Sequence, residues 1–141
     1  MPLTDSEKYK RRLAKGKCAH CRNLTRPGKS TCKVCKDKTV SWQRERHSLR
    51  RAFLIKYYGS QCKCCGEDEY QFLMFDHIND DGAKHRRSLT GKNKVGHQLV
   101  DDLFRRIKSG RSSPYKIRLL CANCNTGRAR NNGVCPHDSN S

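Results

Sequence analysis

Four Cys-x-x-Cys pairs, Cys18/Cys21, Cys32/Cys35, Cys62/Cys65 and Cys121/Cys124, constrain this chain more than any other feature. Two thiols three residues apart converge on one tetrahedral ion, and two such pairs complete a four-thiolate zinc site. The competing use of so many cysteines is the disulfide framework of a secreted domain, which normally follows a signal peptide. The opening residues 1–8 contain no apolar segment of that kind, so the reading favours zinc and a reducing, intracellular compartment. Staples of some kind are needed. With 34% of its 141 residues hydrophobic and 31% charged, the chain has too little apolar mass for a large core. No apolar run approaches the length of a membrane span.

Charge sets the second bound. The formal net charge is +18, and it is uneven: residues 1–60 carry 17 basic and 4 acidic side chains, residues 61–141 carry 14 and 9. Such an excess exceeds what solubility requires and reads as a footprint for a polyanion, with nucleic acid the expected partner. No amphipathic anchor accompanies the charge, so no membrane partner is expected.

Residues 1–17 read as a basic, poorly ordered arm with a helical turn after Thr4 or Ser6. Residues 18–36 form a four-cysteine zinc knuckle, whose two pairs are separated by a Pro27-Gly28 turn. His20, inside the first pair, reads as facing solvent or phosphate. Residues 37–58 read as a basic linker helix from an Asp37 cap to Gly59, with Val40, Leu49, Phe53, Leu54 and Tyr57 on one side. Arg44, Arg46, Arg50 and Arg51 crowd the remainder; Arg44, Arg50 and Arg51 are taken as DNA contacts, against the alternative of a plain linker. Trp42 reads as a packing residue.

Residues 59–137 form the second module, with 138–141 as a tail. Cys62-Lys63-Cys64-Cys65-Gly66 is a knuckle in which Cys64 reads as a spare thiol. Phe72–Phe75 has strand character and runs into Asp76-His77. The polar stretch 79–94 reads as a loop, 97–109 as a helix, 117–120 as a strand and 121–130 as a short helix. Cys62/Cys65 and Cys121/Cys124 are the natural partners for a second four-thiolate zinc site tying the module's ends together. For Cys135 and His137 a tail-anchoring turn around Pro136 is set against a third ion. Tyr57, Tyr58, Tyr70 and Phe72 read as core.

Cys62-x-x-Cys65-Gly66, then Phe75-Asp76-His77-Ile78-Asn79-x-Asp81-Gly82, then Leu119-Leu120-Cys121-x-x-Cys124-Asn125 resembles the HNH endonuclease family. With His85-Arg86 downstream and a terminal Cys135-Pro136-His137, it is similar to the small HNH proteins common in bacteriophages. The resemblance covers residues 59–137. It implies an α+β fold: a zinc-stabilised ββα-metal module, here preceded by the knuckle and the basic linker helix. It implies DNA phosphodiester hydrolysis, with His77 as general base on water and a Mg²⁺ or Mn²⁺ ion held by Asp76 and Asn125. It also implies a phage- or prophage-encoded protein in a bacterial cytoplasm. Many family members place an Asn a few residues before the second knuckle, where this chain has Lys116. His85 is the substitute candidate for orienting His77 or the phosphate, with Asn93 and His97 behind it.

Arg86, Arg87, Arg128 and Arg130 are candidates for clamping the scissile phosphate, or are solvated surface. His77, Asp76 and Asn125 have bland alternatives too: a strand-end hydrogen bond, a turn cap and a helix cap. A single site of this type cuts one strand, so a duplex break calls for two engagements or a homodimer. The rival reading is a non-catalytic zinc-ribbon nucleic-acid-binding protein with a decayed HNH fold. A zinc-bound protein-interaction module fits poorly with the +18 charge.

Overall fold

The computed structural model describes residues 2–90 and 97–138, and the chain divides into two compact units, 1–46 and 47–141. Helix α2 (Lys33–Tyr57) supplies residues to both.

In the first unit, α1 (Asp5–Ala14) starts after Thr4, where a helical turn is expected, and runs on through most of the arm read as poorly ordered. Thr4 and Glu7 close a capping box: Glu7 N–H donates to Thr4 Oγ1 at 3.3 Å, and Thr4 N–H donates to Glu7 Oε2 at 2.7 Å. The knuckle follows. Cys18 N–H bonds to the Asn23 carbonyl, and Gly16, at φ +63°, turns the chain where a side chain would be strained. Among the described residues of this unit, Cys18 and Cys32 alone are buried. Its interior is made of thiols, not of an apolar core.

α2 starts at Lys33, inside the second cysteine pair, rather than at an Asp37 cap. Cys35 lies in the first turn, so ligand geometry and helix nucleation coincide there. Trp42 is 56% exposed, its ring under the Arg46 guanidinium at 4.5 Å, and so is not a packing residue.

In the second unit, α2 buries Leu54 and Ile55, while Leu49 and Tyr57 face outward, correcting the apolar side expected for them. β1 (Leu73–His77) and β2 (Ile117–Cys121) pair antiparallel, with Leu73 opposite Cys121 and His77 opposite Ile117. Strand alternation puts Leu73, Phe75 and His77 on one face and Met74 and Asp76 on the other. Phe72 precedes β1 and is exposed, so it is not core; Tyr70 and Tyr58 are half-buried against the core.

α3 (Gly82–Thr90) occupies most of the stretch read as a loop. It was hidden because its buried face is His85 rather than an apolar run. α4 (Gln98–Lys108) packs Val100 and Leu103 against Leu54, and α5 (Ala122–Arg130) follows β2 directly. The result is a mixed α+β unit around a two-stranded sheet.

Candidate active site and metal centres

The ligand atoms of Cys18, Cys21, Cys32 and Cys35 all lie within 4.8 Å of one another, as do those of Cys62, Cys65, Cys121 and Cys124. Both groups can hold a zinc ion. The Cys21 and Cys32 sulfurs are 3.5 Å apart, and those of Cys65 and Cys121 are 3.7 Å apart. The edge of a tetrahedron with Zn–S bonds of about 2.3 Å is close to these spacings. Backbone N–H groups point at the sulfurs, as from His20 to Cys18 at 3.4 Å and from Cys124 to Cys121 at 3.4 Å. Donors of this kind favour thiolate. An N–H from Cys32 leads in drawing the Cys18 thiol down to about 6. Burial works against Cys62, yet N–H donors from Cys65, Cys121 and Cys64 outweigh it and bring that thiol to about 7. Burial first, then its thiol neighbours, push Cys124 up. Thiolates crowded this closely repel one another unless a cation sits among them.

The end of β1 carries a second constellation. His77 Nε2 lies 2.9 Å from His85 Nδ1, and His85 Nε2 lies 3.3 Å from Asp102 Oδ2. Arg106 Nε donates to the same Asp102 oxygen at 2.7 Å. All three of His77, His85 and Asp102 are buried, and the Tyr115 ring stacks on His85 with centroids 4.0 Å apart. The hydrogen pattern follows from the acceptor at the far end. A carboxylate only accepts, so His85 Nε2 carries the hydrogen. With His85 neutral, its Nδ1 accepts from His77 Nε2–H, which leaves a lone pair on His77 Nδ1.

That nitrogen faces the turn at Gly82: a Cβ there would stand 3.0 Å from His77 Nδ1 and 3.3 Å from an Arg86 terminal nitrogen. Gly82 thus leaves space at the basic atom. Burial, first, and then His85 lower the His77 pKa; Asp81 and Asp76 pull it partly back, and Arg86 lowers it again. Asp81 Oδ1 is buried with no hydrogen-bond partner among the described residues.

Asp76, on the opposite face of β1, is a guanidinium acceptor. Arg118, its cross-strand partner, donates to Oδ2 at 2.8 Å, and Arg128 stands 3.6 Å from Oδ1. Arg128 also binds both oxygens of Asp80, at 2.7 and 3.0 Å, which holds the Asp80 carboxyl below its ordinary range. Asn125 Nδ2 points to the Met74 sulfur at 3.8 Å. Asp76 Oδ2 accepts from Arg118 and Oδ1 faces the Arg128 guanidinium at 3.6 Å, so the carboxylate's nearest charged partners are arginines, and Asn125 makes no hydrogen bond with it. A Mg²⁺ or Mn²⁺ ion held by Asp76 and Asn125 would have to share the carboxylate with these arginines.

Several expected DNA contacts are otherwise engaged. Arg50 pairs with Asp101; Arg51 donates to the carbonyls of Tyr70 and Leu73 and lies over the Tyr70 ring. Both therefore brace the second unit instead of facing solvent. Arg128 is 11% exposed, whereas Arg44, Arg87 and Arg130 are exposed. Asn93 lies outside the described residues. His97 stands at the start of α4, its side chain making no capping hydrogen bond, and sets its ring against His47, with centroids 4.1 Å apart. In the first unit, a groove of about 850 Å³ beside the knuckle is walled by His20, Arg26, Lys29, Lys33 and Lys36, with Asp37 among them.

Asp102, Tyr115 and Arg118 are site residues that the sequence reading missed. Asp102 left a trace: an acid beside Leu103 in the apolar rhythm of α4. Tyr115 and Arg118 left none. Comparison with models of protein families, with curated proteins and with solved structures finds no match to this chain. Among the described residues, no helix is long and apolar enough to cross a membrane.

Proposed function

We propose that this chain is a DNA-hydrolysing nuclease of HNH type, in which His77 removes the proton from the water that attacks phosphorus. The observation that carries the reading is the buried His77–His85–Asp102 chain, which leaves His77 Nδ1 as an acceptor beside Arg86. A buried histidine of either kind is hydrogen-bonded, but here the bonds also leave Nδ1, among the described residues, unbonded at the space that Gly82 opens. A general base needs that arrangement, since both its tautomer and its direction must be fixed. Water gives its proton to Nδ1, its oxygen bonds to phosphorus as the P–O3′ bond breaks, and the departing 3′-oxygen takes a proton from solvent. Arg86 lies where a phosphate oxygen can be neutralised, and the basic groove of the first unit supplies sequence-independent affinity. No step is assigned to a divalent ion at Asp76.

The pH dependence follows from the lowered His77 pKa. The neutral imidazole is the active form. Cleavage is therefore present above that pKa and is lost as pH falls through it, giving an acidic limb below the ordinary histidine value of about 6.5. Asp102 is a positioning residue. Asp102→Asn removes a negative charge behind His85, so the plateau falls about tenfold or more and the limb moves to lower pH. Initial rates of plasmid nicking across pH check both. A plateau that falls with an unmoved limb would assign Asp102 to scaffolding alone.

One observation favours a second reading, a zinc-stapled nucleic-acid binder without catalysis: the arginines on Asp76 make that face a closed ion-pair network. Such a binder, zinc-loaded, keeps its affinity when Mg²⁺ and Mn²⁺ are withheld and shows no His77-dependent turnover.

A further inference from the structure

We propose that Cys64, Cys124, Cys135 and His137 hold a third zinc ion, with the Cys124 thiolate bridging it to the ion of the second four-cysteine group. The ligand atoms of these four residues lie within 4.8 Å of one another, and Cys124 belongs to both sets. His137 Nδ1 stands 3.2 Å from the Cys124 sulfur, 3.7 Å from that of Cys135 and 4.0 Å from that of Cys64. A tetrahedral zinc with Zn–S of about 2.3 Å and Zn–N of about 2.0 Å separates such atoms by roughly 3.6 Å. The three distances straddle that value.

The donor count agrees. Two tetrahedral ions need eight ligand positions, and the combined set of Cys62, Cys64, Cys65, Cys121, Cys124, Cys135 and His137 offers seven donors, one of them shared. Cys64 is therefore no spare thiol. Its place between Cys62 and Cys65 turns its sulfur away from their ion and toward the tail. Cys135 is buried, although it lies three residues from the end of the described chain. The tail's path supports this independently. A Cβ on Gly127 would stand 2.9 Å from Pro136 Cδ, so α5 carries a glycine where the residue between the two tail ligands rests on it. The third ion then pins the tail to α5, the helix that holds Asn125 and Arg128.

The test is zinc stoichiometry of the full chain by native mass spectrometry, paired with cadmium-113 NMR of the cadmium-loaded protein. Wild type is expected to carry three ions. His137→Ala, at an exposed position that leaves the fold intact, is expected to carry two, and Cys18→Ser to keep both ions of the second unit. The β-protons of Cys124 are expected to couple to two cadmium signals. Two ions in wild type, or three retained by His137→Ala, would overturn the site. Three ions with Cys124 coupled to one cadmium would overturn the bridge.

Discussion

His77→Ala leaves DNA binding at wild-type strength and lowers strand cleavage by about a hundredfold or more. The loss reflects removal of the proton acceptor from the attacking water, a contribution of about 10²–10⁴ for a positioned general base. Affinity is untouched because the imidazole carries no charge in its active form and sits 7% exposed at the end of β1. The basic surface of the first unit is unchanged. Folding survives as well, at a cost of about 1–3 kcal/mol for the unpaired His85 Nδ1 left behind. Gel-shift titrations beside cleavage time courses, at matched zinc content, separate the two effects. Equal loss of binding and cutting would mean that His77 is a scaffold residue.

Chelating zinc, or replacing Cys121 by Ser, is expected to have the largest effect on stability. Among the described residues of the first unit, Cys18 and Cys32 are the buried side chains, and no apolar core among those residues holds it when the thiolates lose their cation. In the second unit, Cys62, Cys121 and Cys124 sit in the same cluster as Leu73, Leu119 and Leu120. Loss of the ion there opens the sheet that carries His77. A structural zinc binds with about 10 kcal/mol or more, comparable to the whole stability of an ordinary domain. Circular dichroism is expected to show loss of helix on chelation, restored by added zinc. An unchanged melting curve after verified metal removal would contradict the role given to the thiolates.

The staples and the sheet were legible because their signals are local. Cys-x-x-Cys spacing is read directly, and Leu73–His77 and Ile117–Cys121 announce themselves by short apolar runs and by the knuckles beside them. α4 carries a clean helical period. The hidden parts put polar groups where a pattern reading looks for apolar ones. α3 turns on a buried histidine, and α1 is held by a Thr4–Glu7 box with no buried residue at all. The fate of the arginines was equally illegible. Arg50 finds Asp101 and Arg118 finds Asp76 across 51 and 42 residues, and composition cannot separate such ion pairs from free basic surface. His85 was reachable as the orienting partner of His77 once Lys116 stood in the Asn position; its link onward to Asp102 was not.

The central claim, hydrolysis of DNA at His77, is tested most directly by incubating the zinc-loaded full chain with supercoiled plasmid, alone and with Mg²⁺ or Mn²⁺. The expected result is conversion to nicked circles by wild type, with His77→Ala binding the plasmid without cutting it under the same conditions. Tight, salt-sensitive binding with no nicking by wild type under any of these conditions would contradict it and favour the zinc-stapled binder.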